Sequence, residues 1–283
     1  MTIAIISDTD TSLPQESLDK YDIRQVSITI HFGDEILKAC SDIIDKDLVE
    51  RVNRDGVLPT TAAPSPGDFS GTYQEAFDQG ADEIICLTVS AGVSATYQSA
   101  LTAAELFPGK KITVVDTETI SMGQGFMVLK AAELARAGKN TQDILAEVRK
   151  VRERTHLFGA LDTLKFMAMS GRVGSLSAEM AALMSIKPIL TIKDGKLELL
   201  EKVRTRKKAW ARIHDLTVEH LDGGEFESIF ILHVAASQAA DEFEQLLREV
   251  VPCPVYIPKT ELTPGLSVHT GGGFVGVAFT TKP

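Results

Sequence analysis

The sequence predicts an α/β protein made of two α/β domains, the first a mostly parallel sheet with helices on both faces, the second a mixed sheet with helices. Three observations predict this. Short β-branched runs alternate with helical apolar patterns through the first part of the chain, which is how a parallel sheet covered on both faces is built. From about Thr155 hairpin signals replace that rhythm, notably Asp194-Gly195 between two strand-like runs. The length, 283 residues with 44% apolar and 24% charged side chains, suits one large or two ordinary soluble domains. We place the boundary at residue 160, giving domains 1–160 and 161–283. No Pro/Ser-rich linker separates them, so they are expected to pack closely.

The elements follow in order. Ile3–Ile6 reads as a strand and Gln15–Tyr21 as a short helix. Ile23–Phe32 alternates apolar and polar residues and turns at Gly33-Asp34, a hairpin pattern. Asp45–Arg54 reads as a helix ended by Asp55-Gly56, and Phe69–Gln79 as another. A strand at Glu83–Val89, a helix at Ser94–Phe107 and a strand at Lys111–Asp116 continue the alternation, before helices at Gln124–Ala137 and Thr141–Arg154. Beyond them, Leu157–Leu161 reads as a strand, Glu179–Ser185 as a helix, and Pro188–Lys193 with Lys196–Val203 as a hairpin. Lys207–Leu221 reads as a helix, Ile229–Val234 as a buried strand, Ala239–Val250 as a helix and Val255–Pro258 as a strand. A glycine turn at residues 271–273 leads into a final strand, Phe274–Phe279.

Composition narrows the function. Lys and Arg total 29 against 39 acidic residues, a formal charge of −10, which argues against a nucleic-acid binder or a general binder of anionic membranes. The N-terminus enters a strand pattern directly, with no basic segment or small-residue cleavage site, so no signal peptide is expected. No run of about 18 apolar residues occurs, so no membrane span is expected and any membrane contact would be transient. Cys40, Cys86 and Cys253 lie far apart and form no metal or disulfide pattern; Cys86 and Cys253, in apolar runs, read as packed thiols. The expectation is a cytoplasmic protein without a metal or cofactor.

Three stretches at predicted strand ends combine small residues, hydroxyls and glycine. In Pro59-Thr-Thr-Ala-Ala-Pro-Ser-Pro-Gly-Asp-Phe69, Ser65 or Asp68 is suited to cap the next helix, while Thr60, Thr61 and the Ala62 amide are suited to meet an anion. In Val89–Ser99, Ser94 stands where an N-cap would, and together with the Ala95 and Thr96 amides it offers donors to a carboxylate or phosphate. In His269-Thr-Gly-Gly-Gly, the glycines let backbone approach a ligand closely, and His269 is the one histidine in such a setting. His31, His156 and His233 fall in strands and His214 and His220 on a charged helix, where a structural role suffices.

Two motifs point to other chemistry. Ile3–Thr11 is close to the strand-Asp-x-Asp-x-Thr of haloacid-dehalogenase-like phosphatases, but the later lysine and acidic pair that such chemistry needs are missing. Gly92-x-Ser94-x-Thr96 is close to a nucleophile elbow, and Ser94 with the later His269 has the order of a serine hydrolase, though no acid partner is evident and Ser94 stands several residues past its strand. Two basic features remain. Arg172 lies between glycines, and Arg204, Arg206, Lys207 and Lys208 cluster just before a helix; each reads either as a solvated surface or as a docking face for an acidic partner or a phosphate.

Taken in order, Asp8-Thr-Asp10, Thr61-x-x-Pro-Ser-Pro-Gly-Asp-Phe69, Ser94-x-Thr-Tyr-Gln-Ser-Ala100, Asp116-Thr117 with Ser121-x-Gly-x-Gly125, Gly171-Arg-Val-Gly174, Ser185-Ile-Lys-Pro-Ile-Leu190, Val203-Arg-Thr-Arg-Lys-Lys-Ala209 and His269-Thr-Gly271 resemble the DegV family over essentially the whole chain. The resemblance implies two α/β domains, with a long-chain fatty acid buried in the first and its carboxylate near the junction. It implies that Thr61, Ser94 and His269, the last on a loop returning to the junction, contact the carboxylate, and the Ala62 and Ala95 amides read above are expected to join them. It further implies that Arg172 takes part in docking a dihydroxyacetone-kinase-like bacterial fatty acid kinase, which phosphorylates the bound acid to an acyl phosphate. Arg204 and Arg206, from their own basic cluster, are expected to share that docking role. The family's usual Thr-Ser-Gln-Pro-Ser is here Thr61-Ala-Ala-Pro-Ser65, so Ala62 offers only its backbone; Ser-Gly-Thr-Tyr is here Ser94-Ala-Thr-Tyr97, and Gly-Pro-Gly is Gly271-Gly-Gly273.

Overall fold

Why Ile3–Ile6 is an unbroken apolar run becomes plain in the computed structural model, which describes residues 2–171 and 186–283. β1 (Ile3–Asp8) is buried along its whole length because helices cover both faces of its sheet. A short 3₁₀ turn at Thr9–Thr11 and α1 (Gln15–Tyr21) lead to β2 (Arg24–Val26), parallel to β1. The alternating run expected as one hairpin strand is divided between two sheets: Val26 packs beneath the parallel sheet, whereas Ile28 and Ile30 join a different core. β3 (Thr29–Phe32), β4 (Glu35–Lys38) and β5 (Thr60–Ala62) form a small antiparallel sheet over α2 (Asp45–Asp55).

α3 (Pro66–Asp78) starts at a capping box in which Ser65 and Asp68 satisfy each other's backbone, with Pro66 in the first turn. β6 (Glu83–Thr88), α4 (Thr96–Ala104) and β7 (Lys111–Asp116) follow. The parallel sheet has the order β2-β1-β6-β7. The chain therefore steps from β1 to β2 on one side and later to β6 on the other, so the carboxyl ends of β1 and β6 flank the topological switch point. α3 and α4 cover one face; α5 (Ser121–Arg136) and α6 (Thr141–Glu153) cover the other.

β8 (Thr155–Ala160) pairs with strands of the second sheet only, so that sheet begins ahead of residue 160. After α7 (Lys165–Met169) the described chain resumes just before β9 (Lys187–Lys193) and β10 (Lys196–Val203), the hairpin expected around Asp194-Gly195. α8 (Arg206–Leu221), β11 (Phe226–His233), α9 (Ser237–Val250), β12 (Lys259–Glu261), α10 (Pro264–Thr270) and β13 (Val275–Thr281) complete the molecule. The mixed sheet runs β10-β9-β8-β13-β11-β12, with only the β11–β12 pair parallel. The helix expected at Glu179–Ser185 lies outside the described residues.

The strand expected at Val255–Pro258 is irregular instead. Pro254 and Pro258 lack N–H donors, and pairing starts only at Lys259, opposite Ile231, which leaves Val255 and Tyr256 exposed. The layers stack in a definite order. α5 and α6 lie between the two large sheets in one continuous core that includes Ile5, Leu87, Phe126, Leu157 and Leu232. α8 and α9 cover the far face of the mixed sheet through Trp210, Ile213 and Phe243. Cys86 is fully buried, Cys253 half-buried and Cys40 exposed. Among the described residues, no helix is long and apolar enough to cross a membrane.

Candidate functional site

A cavity of about 1010 Å³ opens at the carboxyl ends of β1 and β6, where open α/β sheets bind ligands. Its volume is at the upper end of the range of small-molecule sites. The first part of the chain contributes Ile28, Val89 and Ile120 to its wall; the mixed sheet contributes Leu157, Leu199 and Leu232. The cavity thus lies between the layers and draws on both sheets, not on the first alone.

At one end the lining turns polar. Thr61 sits on β5 opposite Ile30, and its Oγ1 is hydrogen-bonded to His269 Nε2 at 3.1 Å, joining residues 208 positions apart. Thr61, Ala62, Ser94, Ala95 and His269 all line the cavity. Thr60, expected to share the role of Thr61, does not; successive residues of a strand face opposite sides, and β5 turns Thr60 away.

His269 is not on a glycine loop as expected. It occupies the last turn of α10, which Pro264 opens and Gly271 closes, so its ring is held by helix packing rather than by the glycines after it. Ser94 departs from expectation too. The N-cap of α4 is Ala95, which has no side-chain capping bond. Ser94 lies one residue earlier, its hydroxyl 2.8 Å from Thr96 Oγ1 and accepting the Thr96 N–H at 3.3 Å, so that amide is already engaged.

A hairpin of the mixed sheet closes over this loop. Ser90 Oγ donates to the Gly195 carbonyl at 2.6 Å, and Lys196, next in the chain, lines the cavity beside Gly92. Lys202, at the other end of β10, also lines it. Arg204 and the opening residues of α8 follow directly. Arg206, Lys207 and Lys208 occupy the first turn of α8, which holds no acid, and the Arg206 guanidinium lies 5.1 Å from the Trp210 ring centre. Three cations at the positive end of a helix dipole oppose it. Arg172 lies outside the described residues.

The acids following β1 are buried and engaged. Asp8 accepts from the Val89 N–H at 2.6 Å, the Asp10 N–H at 2.9 Å and Gln124 Nε2 at 3.1 Å. Burial raises its pKa against the pull of those donors. Asp10 lines the cavity and accepts from Thr263 Oγ1 at 3.0 Å. Burial, then the neighbouring Asp8, raises its pKa further. Behind them, burial raises Asp45 to about 7, and Ser267 faces it without closing a hydrogen bond of ordinary geometry. Among the described residues no group of acids, histidines and cysteines could hold a metal ion, and the inward, donor-bound Asp8 does not suit a phosphatase nucleophile.

Sequence reasoning missed Asp10, Lys196 and Lys202 as cavity residues. Asp10 had a signal, because a residue just past the first strand of such a sheet stands at the crevice. The lysines had none, because their placement depends on where the hairpin docks.

Comparison with known proteins agrees with this architecture. The family model for uncharacterised proteins of the DegV family matches residues 2–282. This chain belongs to the DegV family. A DegV domain-containing protein of Streptomyces coelicolor is 32% identical over 280 residues, 99% of each chain. Among solved structures, the DegV family protein from Thermus thermophilus, whose structure shows fatty acid binding, is 32% identical and matches with a TM-score of 0.91 over 100% of each chain. DegV, a fatty acid binding protein from Bacillus subtilis, is 28% identical and matches with a TM-score of 0.88, again over 100% of each chain. The two-sheet arrangement described above is therefore a DegV fold.

Proposed function

We propose that this DegV-family protein binds a long-chain fatty acid in the cavity between its sheets and presents the carboxylate to a partner fatty acid kinase, without catalysing a reaction itself. The observation that carries this reading is a large, mainly apolar cavity with a small polar end, in a fold shared with fatty acid binding proteins. Each buried CH₂ of an alkyl tail is worth about 0.8 kcal/mol, so enclosing a sixteen-carbon chain is worth on the order of 10 kcal/mol before the costs of association. The tail supplies affinity. The head group needs only orientation, for which Thr61, Ser94, His269 and the backbone at Ala62 and Ala95 are suited.

A cytoplasmic kinase of the dihydroxyacetone-kinase type is the proposed partner. The cations of Arg204 and Arg206, continuing from Lys202 at the cavity wall, favour an acidic face on that partner, and Arg172 is proposed to belong with them. Cations placed against a helix dipole gain from such a face what they lose in the free protein. The serine-hydrolase reading finds no support in the geometry. Ser94 is six residues past the end of β6, is not in a strained left-handed conformation, and pairs with Thr96, while His269 Nε2 pairs with Thr61.

Delipidated protein titrated with oleate tests the binding, and a fluorophosphonate probe tests the alternative. Saturable binding of one oleate with no labelling of Ser94 is expected; labelling without oleate binding would reverse the assignment.

A further inference from the structure

Among the described residues two acids line the cavity, Asp10 and Glu198, the latter on β10 with Lys196 and Lys202. Asp10 is the one held against α10, the helix that carries His269, and a ligand carboxylate placed beside that helix would face it. Its position follows from α10. Thr263 donates to Asp10 Oδ1, and two residues on, the helix passes so close that a Cβ on Gly265 would lie 2.2 Å from that same oxygen. Gly265 and His269 are four residues apart in α10, on one face and about 6 Å from each other. Asp10 thus sits about one helical turn from the ring that touches Thr61. Oδ1 takes the Thr263 bond and the closest approach of α10, while Oδ2, 3.2 Å from the same Cβ position, is outside that bond.

The surroundings decide the form of this carboxyl. Asp8, on the same chain segment, takes the backbone and amide donors and is the better carboxylate of the two. The loop before α2 brings the Cys40 thiol, and behind it stand Asp45 of α2 and Glu261 of β12. α5 contributes only the uncharged Ser121 and Gln124, and α10 contributes Thr263 and His269. Among the described residues, no lysine or arginine pairs with Asp10. A second negative charge here would be opposed by Asp8 and by burial together.

We infer that Asp10 enters the site as a carboxylic acid and donates a hydrogen bond from Oδ2 to the head group of the ligand, so that the cavity accepts a carboxylate only while Asp10 keeps its proton. This rests on the fatty acid reading above. It makes Asp10 a specificity residue: protonated, it joins the neutral donors Thr61 and Ser94; ionised, it repels the acid but not an uncharged analogue of the same length.

The test compares oleate with oleamide, both below their aggregation concentrations, from about pH 6 to about pH 10. The ratio of oleate to oleamide affinity is expected to fall about tenfold per pH unit once Asp10 ionises. In Asp10→Asn, which keeps a donor and cannot ionise, the ratio should stay constant. A flat ratio in the wild type, or an equal fall in Asp10→Asn, would overturn the inference while leaving fatty acid binding intact; failure of both ligands to bind at any pH would instead remove the fatty acid reading. If Asp10→Asn does not fold, Thr263→Val serves, because losing a donor to Asp10 should move the fall to higher pH, and an unmoved midpoint would count against Asp10.

Discussion

Ser90 and Gly195 pin the two sheets together at the cavity mouth: the Ser90 hydroxyl donates to the Gly195 carbonyl at 2.6 Å. Gly92 makes that approach possible, since a Cβ there would lie 2.3 Å from the Gly195 oxygen. Gly92→Ala should therefore force the β9–β10 hairpin outward, at a cost of about 1–3 kcal/mol in stability, and weaken fatty acid binding. Thermal unfolding and oleate titration check this; unchanged values of both would mean that the hairpin does not close the site.

Ser94→Ala tests the division of labour between tail and head group. Lipid retention should fall little, because the tail carries the affinity, whereas acyl phosphate formation with the kinase should fall by tenfold or more, on the order of one lost, well-placed hydrogen bond. Equal losses in retention and turnover would show that the polar end does more than orient.

Leu199→Trp tests the tail. Leu199 lines the cavity from β10, and a larger ring there should shorten the space available. Affinity measured for acids of 12 to 18 carbons should shift toward the shorter members, each excluded CH₂ costing about 0.8 kcal/mol. An unshifted series would place the alkyl chain elsewhere.

Asp45→Asn tests the buried acids behind the site. With its pKa raised to about 7 in the folded protein, Asp45 holds a proton that the unfolded chain releases near the usual Asp value of about 4. The folded state thus binds more protons between those values, and stability falls as pH rises through that window. The neutral amide removes this dependence, so the variant should gain on the wild type between about pH 4 and pH 7, by a few kcal/mol in order of magnitude. Denaturant melts across that range would show parallel curves if Asp45 ionises normally.

Much of the scaffold was legible because periodicity and burial agree. Ile3–Ile6 and Ile84–Leu87 read as continuous apolar runs and lie in β1 and β6, which are buried on both faces; Ser65 and Asp68 read as a helix start and form a capping box. The grouping of Thr61, Ser94 and His269 came from their family pattern rather than from local physics, because it depends on β5, the β6–α4 turn and α10 meeting across some 200 residues. Local chemistry misled at His269 and Thr270, which the glycines placed in a loop although Pro264 and the spacing behind it built a helix; the glycine turn itself stands at residues 271–273. It gave no hint that Thr60 faces away from Thr61, since the alternation matters only once β5 is known to be a strand. The contribution of Leu157, Leu199 and Leu232 to the cavity was equally hidden, because it depends on how the second sheet stacks on the first.

The central claim is that the cavity houses an alkyl tail. Native mass spectrometry of the purified protein, followed by solvent extraction, tests it most directly. One long-chain fatty acid per chain is the expected result; a mass equal to the bare polypeptide, together with no uptake of added palmitate, would contradict the account.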